Sequence, residues 1–129
     1  MSSPEVIAHV RGTSRYIDDL PDPAGLLHAA VVTSPVPHAL VLGIDVGAAV
    51  DTEGVAAVLT AADIPGANQI GGIVQDEALL ADDAVHFIGQ PVAVVFAETP
   101  RQARAGARAV SLDLEVLPAI FDPREAAAA

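Results

Sequence analysis

The sequence predicts an α/β domain of the α+β kind, in which short helices pack on a mixed sheet. Three observations carry that prediction. Pro91 to Ala97 is an almost unbroken apolar run (Pro-Val-Ala-Val-Val-Phe-Ala), the pattern of a strand covered on both faces. It leads directly into a helix start, with Thr99 as N-cap, Pro100 at the first helical position and Gln102 completing a capping box. Leu112 to Val116 then alternates apolar and acidic residues, as a strand with one wet face does.

In chain order, residues 1–10 read as an irregular or extended lead-in, 11–125 as the folded domain and 126–129 as a tail. The stretch from Gly12 to Gly25 is rich in turn formers. Its Tyr16, the only tyrosine, is expected to bury its ring, and Asp18-Asp19 to cap a turn. Leu26 to Val32 is a strand candidate, broken by Pro35 and Pro37. Ala39 to Val46 is a second, with Gly43 at a bulge or close approach. A short helix or turn over Gly47 to Glu53 precedes Gly54. Val55 to Leu59 is a third strand, and Thr60 starts a single helical turn that Pro65-Gly66 stops.

Ala67 to Asp83 is the least regular part, with a turn at Gly71-Gly72 and an exposed acidic surface at Asp76, Glu77, Asp82 and Asp83. Val85 to Ile88 is expected to continue the sheet before Pro91. In the helix after Pro100, Arg101, Arg104 and Arg108 share one face. Ala103, Ala107 and Val110 take the opposite face, where Gly106 permits close approach to the sheet.

Composition sets bounds on function. The chain has 129 residues, 52% of them hydrophobic and only 3% aromatic, so its core is built from Val, Ile, Leu and Ala. Its net charge is −11, with six arginines and no lysine, which repels a nucleic-acid backbone or an anionic membrane surface. There is no cysteine, which excludes disulfides, thiolate metal sites and a cysteine nucleophile from these residues. No apolar run approaches the ~20 residues that span a bilayer, and a cytoplasmic location is expected.

Motifs of self-contained chemistry are missing. His9, His28, His38 and His86 are isolated in sequence, with no metal-ligand spacing. Ser34 and His38 with an aspartate would make a triad on paper, but no Gly-x-Ser-x-Gly elbow positions a nucleophile. No Rossmann or P-loop fingerprint occurs. Four candidate contact residues remain. Arg101, Arg104 and Arg108 form a basic helix face suited to an acidic partner, and Gln90 is the polar side chain at the mouth of the buried strand. No catalytic, cofactor-binding or metal-binding residue is assigned.

Five segments occur in a telling order: Gly12-Thr-Ser-Arg-Tyr-Ile-Asp-Asp-Leu-Pro21, Thr33-Ser-Pro-Val-Pro-His-Ala39, Gly54 to Gly66, Ile88-Gly-Gln-Pro-Val-Ala93 and Glu115-Val-Leu-Pro-Ala119. Together they resemble the N-terminal a/b hammerhead domain of the molybdenum hydroxylases, the xanthine dehydrogenase and aldehyde oxidase family. The wording around Tyr16 and Gly89-Gln90-Pro91-Val92 is most similar to the molybdopterin-binding subunit of bacterial xanthine dehydrogenase. Two positions depart from the pattern: Leu114 replaces a usual aromatic residue, and Pro37 replaces a common alanine.

The resemblance implies an a/b hammerhead over 11–125, ahead of a larger region that binds the molybdopterin cofactor. It also implies hydroxylation of purines or aldehydes with a water-derived oxygen, and electron exit through iron–sulfur clusters and FAD. The family's base, substrate clamps and main pterin contacts lie outside these residues. The expected role is therefore structural: a domain inactive alone, whose partners are the remaining molybdopterin-binding region and the iron–sulfur/FAD subunit or domains. The rival reading is a stand-alone interaction module docking through the Arg101/Arg104/Arg108 face.

Overall fold

The computed structural model describes residues 3–128. Among the described residues six strands lie in chain order: β1 (His28–Thr33), β2 (Ala39–Asp45), β3 (Val55–Thr60), β4 (Ala84–Val85), β5 (Pro91–Ala97) and β6 (Ser111–Val116). Four helices accompany them: α1 (Pro4–Val10), α2 (Gly47–Val50), α3 (Pro100–Ala109) and α4 (Pro123–Ala126). Single 3-10 turns occupy Ile17–Asp19 and Ala61–Asp63.

The expected mixed sheet is instead two three-stranded sheets, ordered β1-β5-β3 and β4-β2-β6, and every pairing is antiparallel. Parallel neighbours need a long crossover that returns to the same sheet. The α3 crossover leaves β5 in one sheet and delivers β6 to the other, so it creates no parallel pair.

The strand β5 is the centre of its sheet, and Val92, Ala93, Val95 and Ala97 are buried. The helix α3 packs on one face of that sheet. Ala107 and Val110 meet Val32, Ala93 and Val95 there. A Cβ at Gly106 would stand 2.8 Å from Val55 Cγ2 and 2.9 Å from Val95 Cγ1, so glycine lets helix and sheet close to this distance. Thr99 caps α3 by accepting from the Gln102 backbone N–H at 3.2 Å. The expected capping box differs in its second arm. The Thr99 hydroxyl donates to Gln102 Oε1 at 2.7 Å, and the Gln102 side chain lies over Gly54, whose positive φ of 79° suits glycine.

The second core joins Ala39, Ala81, Val85 and Val92, with Val41, Ile44 and Leu114 against it. Leu112 touches both cores, so β6 ties the sheets together. The register slips between Val41 and Gly43, which places the bulge at Leu42, next to the expected Gly43.

Three further expectations are corrected. Pro4–Val10 is helical where an irregular lead-in was expected, because Ser3 accepts from the Val6 N–H and Pro4 takes the first turn. Tyr16 is 64% exposed rather than buried, its ring 6.1 Å from that of His9. Neither α1 nor the 17–19 turn buries a residue, so no core is there to receive the ring. Finally, the strand expected over Val85 to Ile88 ends at Val85. The His86 N–H, its next donor, goes to the Gln90 side chain instead.

Candidate functional site

Three connections that are far apart in sequence meet at one end of the molecule: 34–38 after β1, 86–90 before β5, and 117–121 after β6. Ser34 and Gln90, the buried polar residues among those described, form the inner part of the junction. The Ser34 N–H donates to the Gln90 carbonyl and the Gly89 N–H to the Ser34 carbonyl, both at 2.9 Å. Gly89 has a φ of 89°, which lets the chain reverse between these bonds. Gln90 Oε1 accepts from the His86 N–H at 2.6 Å, closing the 86–90 turn across its own mouth.

The outer part is a cleft of about 430 Å³ lined by Pro37, His38, His86, Phe87, Ile120 and Phe121 among others. His38 Nδ1 lies 2.9 Å from the Pro118 carbonyl, which can only accept, so Nδ1 carries the proton. The Leu117 N–H donates to the His38 carbonyl at 2.9 Å. The His38 and His86 rings stand 6.0 Å apart with a 29° interplanar angle. His38 therefore clasps the chain leaving β6 to the chain entering β2.

Ser34 and His38 are both engaged by backbone groups. The Ser34 hydroxyl donates to the Val36 carbonyl at 2.8 Å and accepts from the Val36 N–H at 3.2 Å, so it is spent on its own turn. His38 is oriented toward Pro118, so the paper triad does not assemble. Among the described residues, no group of three His, Asp or Glu side chains is placed to hold a metal ion.

Other predicted residues lie elsewhere. Arg101, Arg104 and Arg108 are exposed on the outer face of α3, while Gln90 is only 6% exposed within the loop junction. Asp19 Oδ2 accepts from the Tyr16 N–H at 3.0 Å, the capping role expected of Asp18-Asp19. Asp63 accepts from the Thr60 N–H at 2.8 Å and from its hydroxyl at 3.0 Å. The backbone bond, and then the hydroxyl bond, hold its carboxyl below the usual aspartate range.

Sequence reasoning missed the amide staples that order 67–83. Asn68 Nδ2 donates to the Leu80 carbonyl at 2.7 Å, and Asn68 Oδ1 accepts from the Leu80 N–H at 3.0 Å. Gln69 Oε1 takes the N–H groups of Gly71 and Glu77 at 2.6 and 3.2 Å. Asparagine and glutamine ahead of a glycine pair were the available signal.

Three of the five ordered sequence motifs thus supply the three converging connections. The family model described as "Aldehyde oxidase and xanthine dehydrogenase, a/b hammerhead domain" matches residues 11–118. The chain belongs to that family. Among hammerhead relatives, xanthine dehydrogenase 1 of Arabidopsis thaliana is 47% identical over 117 residues, covering 91% of this chain and 9% of that protein. The nicotinate dehydrogenase large molybdopterin subunit of Eubacterium barkeri is 39% identical, covering 87% of this chain and 26% of the subunit. The crystal structure of the aldehyde oxidoreductase from Desulfovibrio desulfuricans ATCC 27774 superimposes with a TM-score of 0.86 at 34% identity, covering 95% of this chain and 15% of that one.

The hammerhead chain therefore spans about a tenth to a quarter of the length of these relatives. It corresponds to one domain of larger molybdenum hydroxylases. The stand-alone module docking through the arginines has no support in these matches, since the relatives carry the segment within larger proteins. Among the described residues, no helix is long and apolar enough to cross a membrane.

The residues present do not fit molybdopterin by themselves. The 320 Å³ cleft beside Gln90 is lined by Asp76, Glu77, Asp82 and Asp83, which repel the cofactor's phosphate. The cleft at His38 offers two imidazoles in an otherwise largely apolar wall. Arg108 is the one charged residue lining a cleft of about 470 Å³, and Arg101 and Arg104 are exposed on α3 away from it. Cysteine, the usual iron–sulfur ligand, is lacking.

Proposed function

We propose that this domain is a structural part of a xanthine dehydrogenase-type molybdenum hydroxylase and is catalytically incomplete alone. The hammerhead match over residues 11–118 carries this reading. A loop junction whose polar groups are consumed in holding the fold supports its structural half. In the assembled enzyme, the molybdopterin cofactor would serve hydroxylation of a purine or an aldehyde with a water-derived oxygen. Electrons would leave through iron–sulfur clusters and FAD on other domains or subunits. A cytoplasmic location belongs to the same proposal. Arg101, Arg104 and Arg108 are offered as contacts to an acidic stretch of a neighbouring domain. Gln90 would make a neighbouring contact through its amide nitrogen, since its oxygen already holds His86.

The test is to purify the chain alone and together with the molybdopterin-bearing remainder of the enzyme. The chain alone is expected to oxidise neither hypoxanthine nor an aldehyde and to retain no molybdopterin, while the assembly does both. Turnover or stoichiometric pterin in the isolated chain would sink the structural reading. Failure of the two parts to associate would remove the assignment to this enzyme.

A further inference from the structure

The apolar run of β5 predicts a strand covered on both faces, yet α3 covers one. On the other face, register sets Val31, Val94 and Leu59 side by side across β1, β5 and β3. Ala29, Phe96 and Ala57 form the next row. These six side chains make a continuous uncharged surface three strands wide. Val31 is 51% exposed and Leu59 40%. A cleft of about 390 Å³ opens on it, with Ile64 and Leu79 at its border and Asp63 as its one charged residue. That carboxylate is turned to Thr60.

We propose that this outer face of the β1-β5-β3 sheet is where the molybdopterin-bearing remainder of the enzyme docks. The inference rests on the functional reading above and names its contact surface. A rigid apolar sheet face is the chemistry of a permanent interface, which resembles a core cut in two, rather than of a transient encounter. Two observations select the occupant. Relatives hold this segment as 8% to 26% of a longer protein, so most of the surface available to cover it lies in the remainder. A second copy is the poorer occupant, because each copy carries a net charge of −11 and two would approach against their own repulsion. The partner face is accordingly expected to be apolar and free of acidic residues at its centre.

The chain has no cysteine, so Val31→Cys and Asp113→Cys each introduce a single thiol. Asp113 lies on the outer face of the other sheet and serves as the control. Maleimide labelling is followed by peptide mass in the chain alone and in the assembled enzyme. The expected result is labelling at 31 slowed about tenfold or more on assembly, because it must wait for the interface to open, with labelling at 113 unchanged. The paired variant Val31→Asp/Leu59→Asp, verified as folded by circular dichroism, is expected to weaken association at least about tenfold by burying unpaired charge. Equal labelling at 31 in both states, with assembly intact, would overturn the docking surface and leave the functional reading standing. Protection at 31 in the chain alone, rising with its concentration, would assign the face to a second copy and overturn the proposal. Loss of association in the unmodified proteins would overturn both.

Discussion

The β1-β5-β3 and β4-β2-β6 sheets are each three strands wide and antiparallel throughout, yet they present different outer faces. The first shows Ala29, Val31, Ala57, Leu59, Val94 and Phe96. The second shows Asp45, Ser111, Asp113 and Glu115 beside Leu40 and Leu42. Their inner faces are alike, lined by small aliphatic side chains that meet around Leu112. The difference teaches that a three-stranded sheet in this domain can stand on its inner face, since the second sheet has a largely polar outer one. The outer row of the first sheet is thus free to serve an interface.

The comparison can be broken most forcefully at the inner faces, where the two sheets should respond alike. Val95→Ala and Val85→Ala each remove a fully buried valine, one per sheet. Each is expected to cost about 2–3 kcal/mol from lost burial plus residual cavity, read as a fall in the urea midpoint without a change in slope. A biphasic transition, or a fall in slope with either variant, would mean that the cores unfold separately.

Next in size is the loop that leads into β5. Gln90→Ala leaves the His86 N–H without its 2.6 Å acceptor. A loss of about 1–2 kcal/mol is expected, with faster hydrogen exchange at His86. At the other end of the same strand, Gly106→Ala sharpens how tightly α3 is pressed on the first sheet. The added methyl meets Val55 and Val95 below 3.0 Å. Despite a helix-propensity gain of ~1 kcal/mol, a net loss of about 1 kcal/mol is expected in thermal melts.

Outer-face changes should matter least in the isolated chain. Val31→Thr is expected to shift stability by no more than about 0.5 kcal/mol, as is Asp113→Thr on the other sheet. An acid titration adds a smaller effect at the rim of the apolar face. The Asp63 carboxyl is held below its ordinary value by Thr60. Its contribution is therefore complete above the unfolded-state pKa and is lost as pH falls through the depressed native value. Asp63→Asn should flatten the stability curve in that acid range and leave its shape near neutrality unchanged.

Much of the framework was legible because it depends on neighbours in sequence. The apolar run of β5, the Thr99 cap, the alternation of β6 and the bulge next to Gly43 each need only a few adjacent residues to be recognised. Less legible was what long-range partners decide. The chain after Val85 has the composition of a strand, but Gln90 folds back to take the donor that pairing would have used. Tyr16 has the chemistry of an anchor, but its segment meets no core. Within the loop junction, Ser34 and His38 could be named from their motif. The engagement of His38 with Pro118 could not, because that contact spans 80 positions.

By itself the sequence determined the family, the order of most elements, the small-aliphatic core and the lack of cysteine ligation. These follow from local periodicity, residue types and ordered motifs. Only the tertiary structure decided that the strands divide into two antiparallel sheets and that three motifs converge on one loop junction. It also decided that the double-sided apolar strand β5 has a helix on one side and an apolar surface on the other. Strand partners and exposed faces are set by contacts between residues distant along the chain, which no local pattern records.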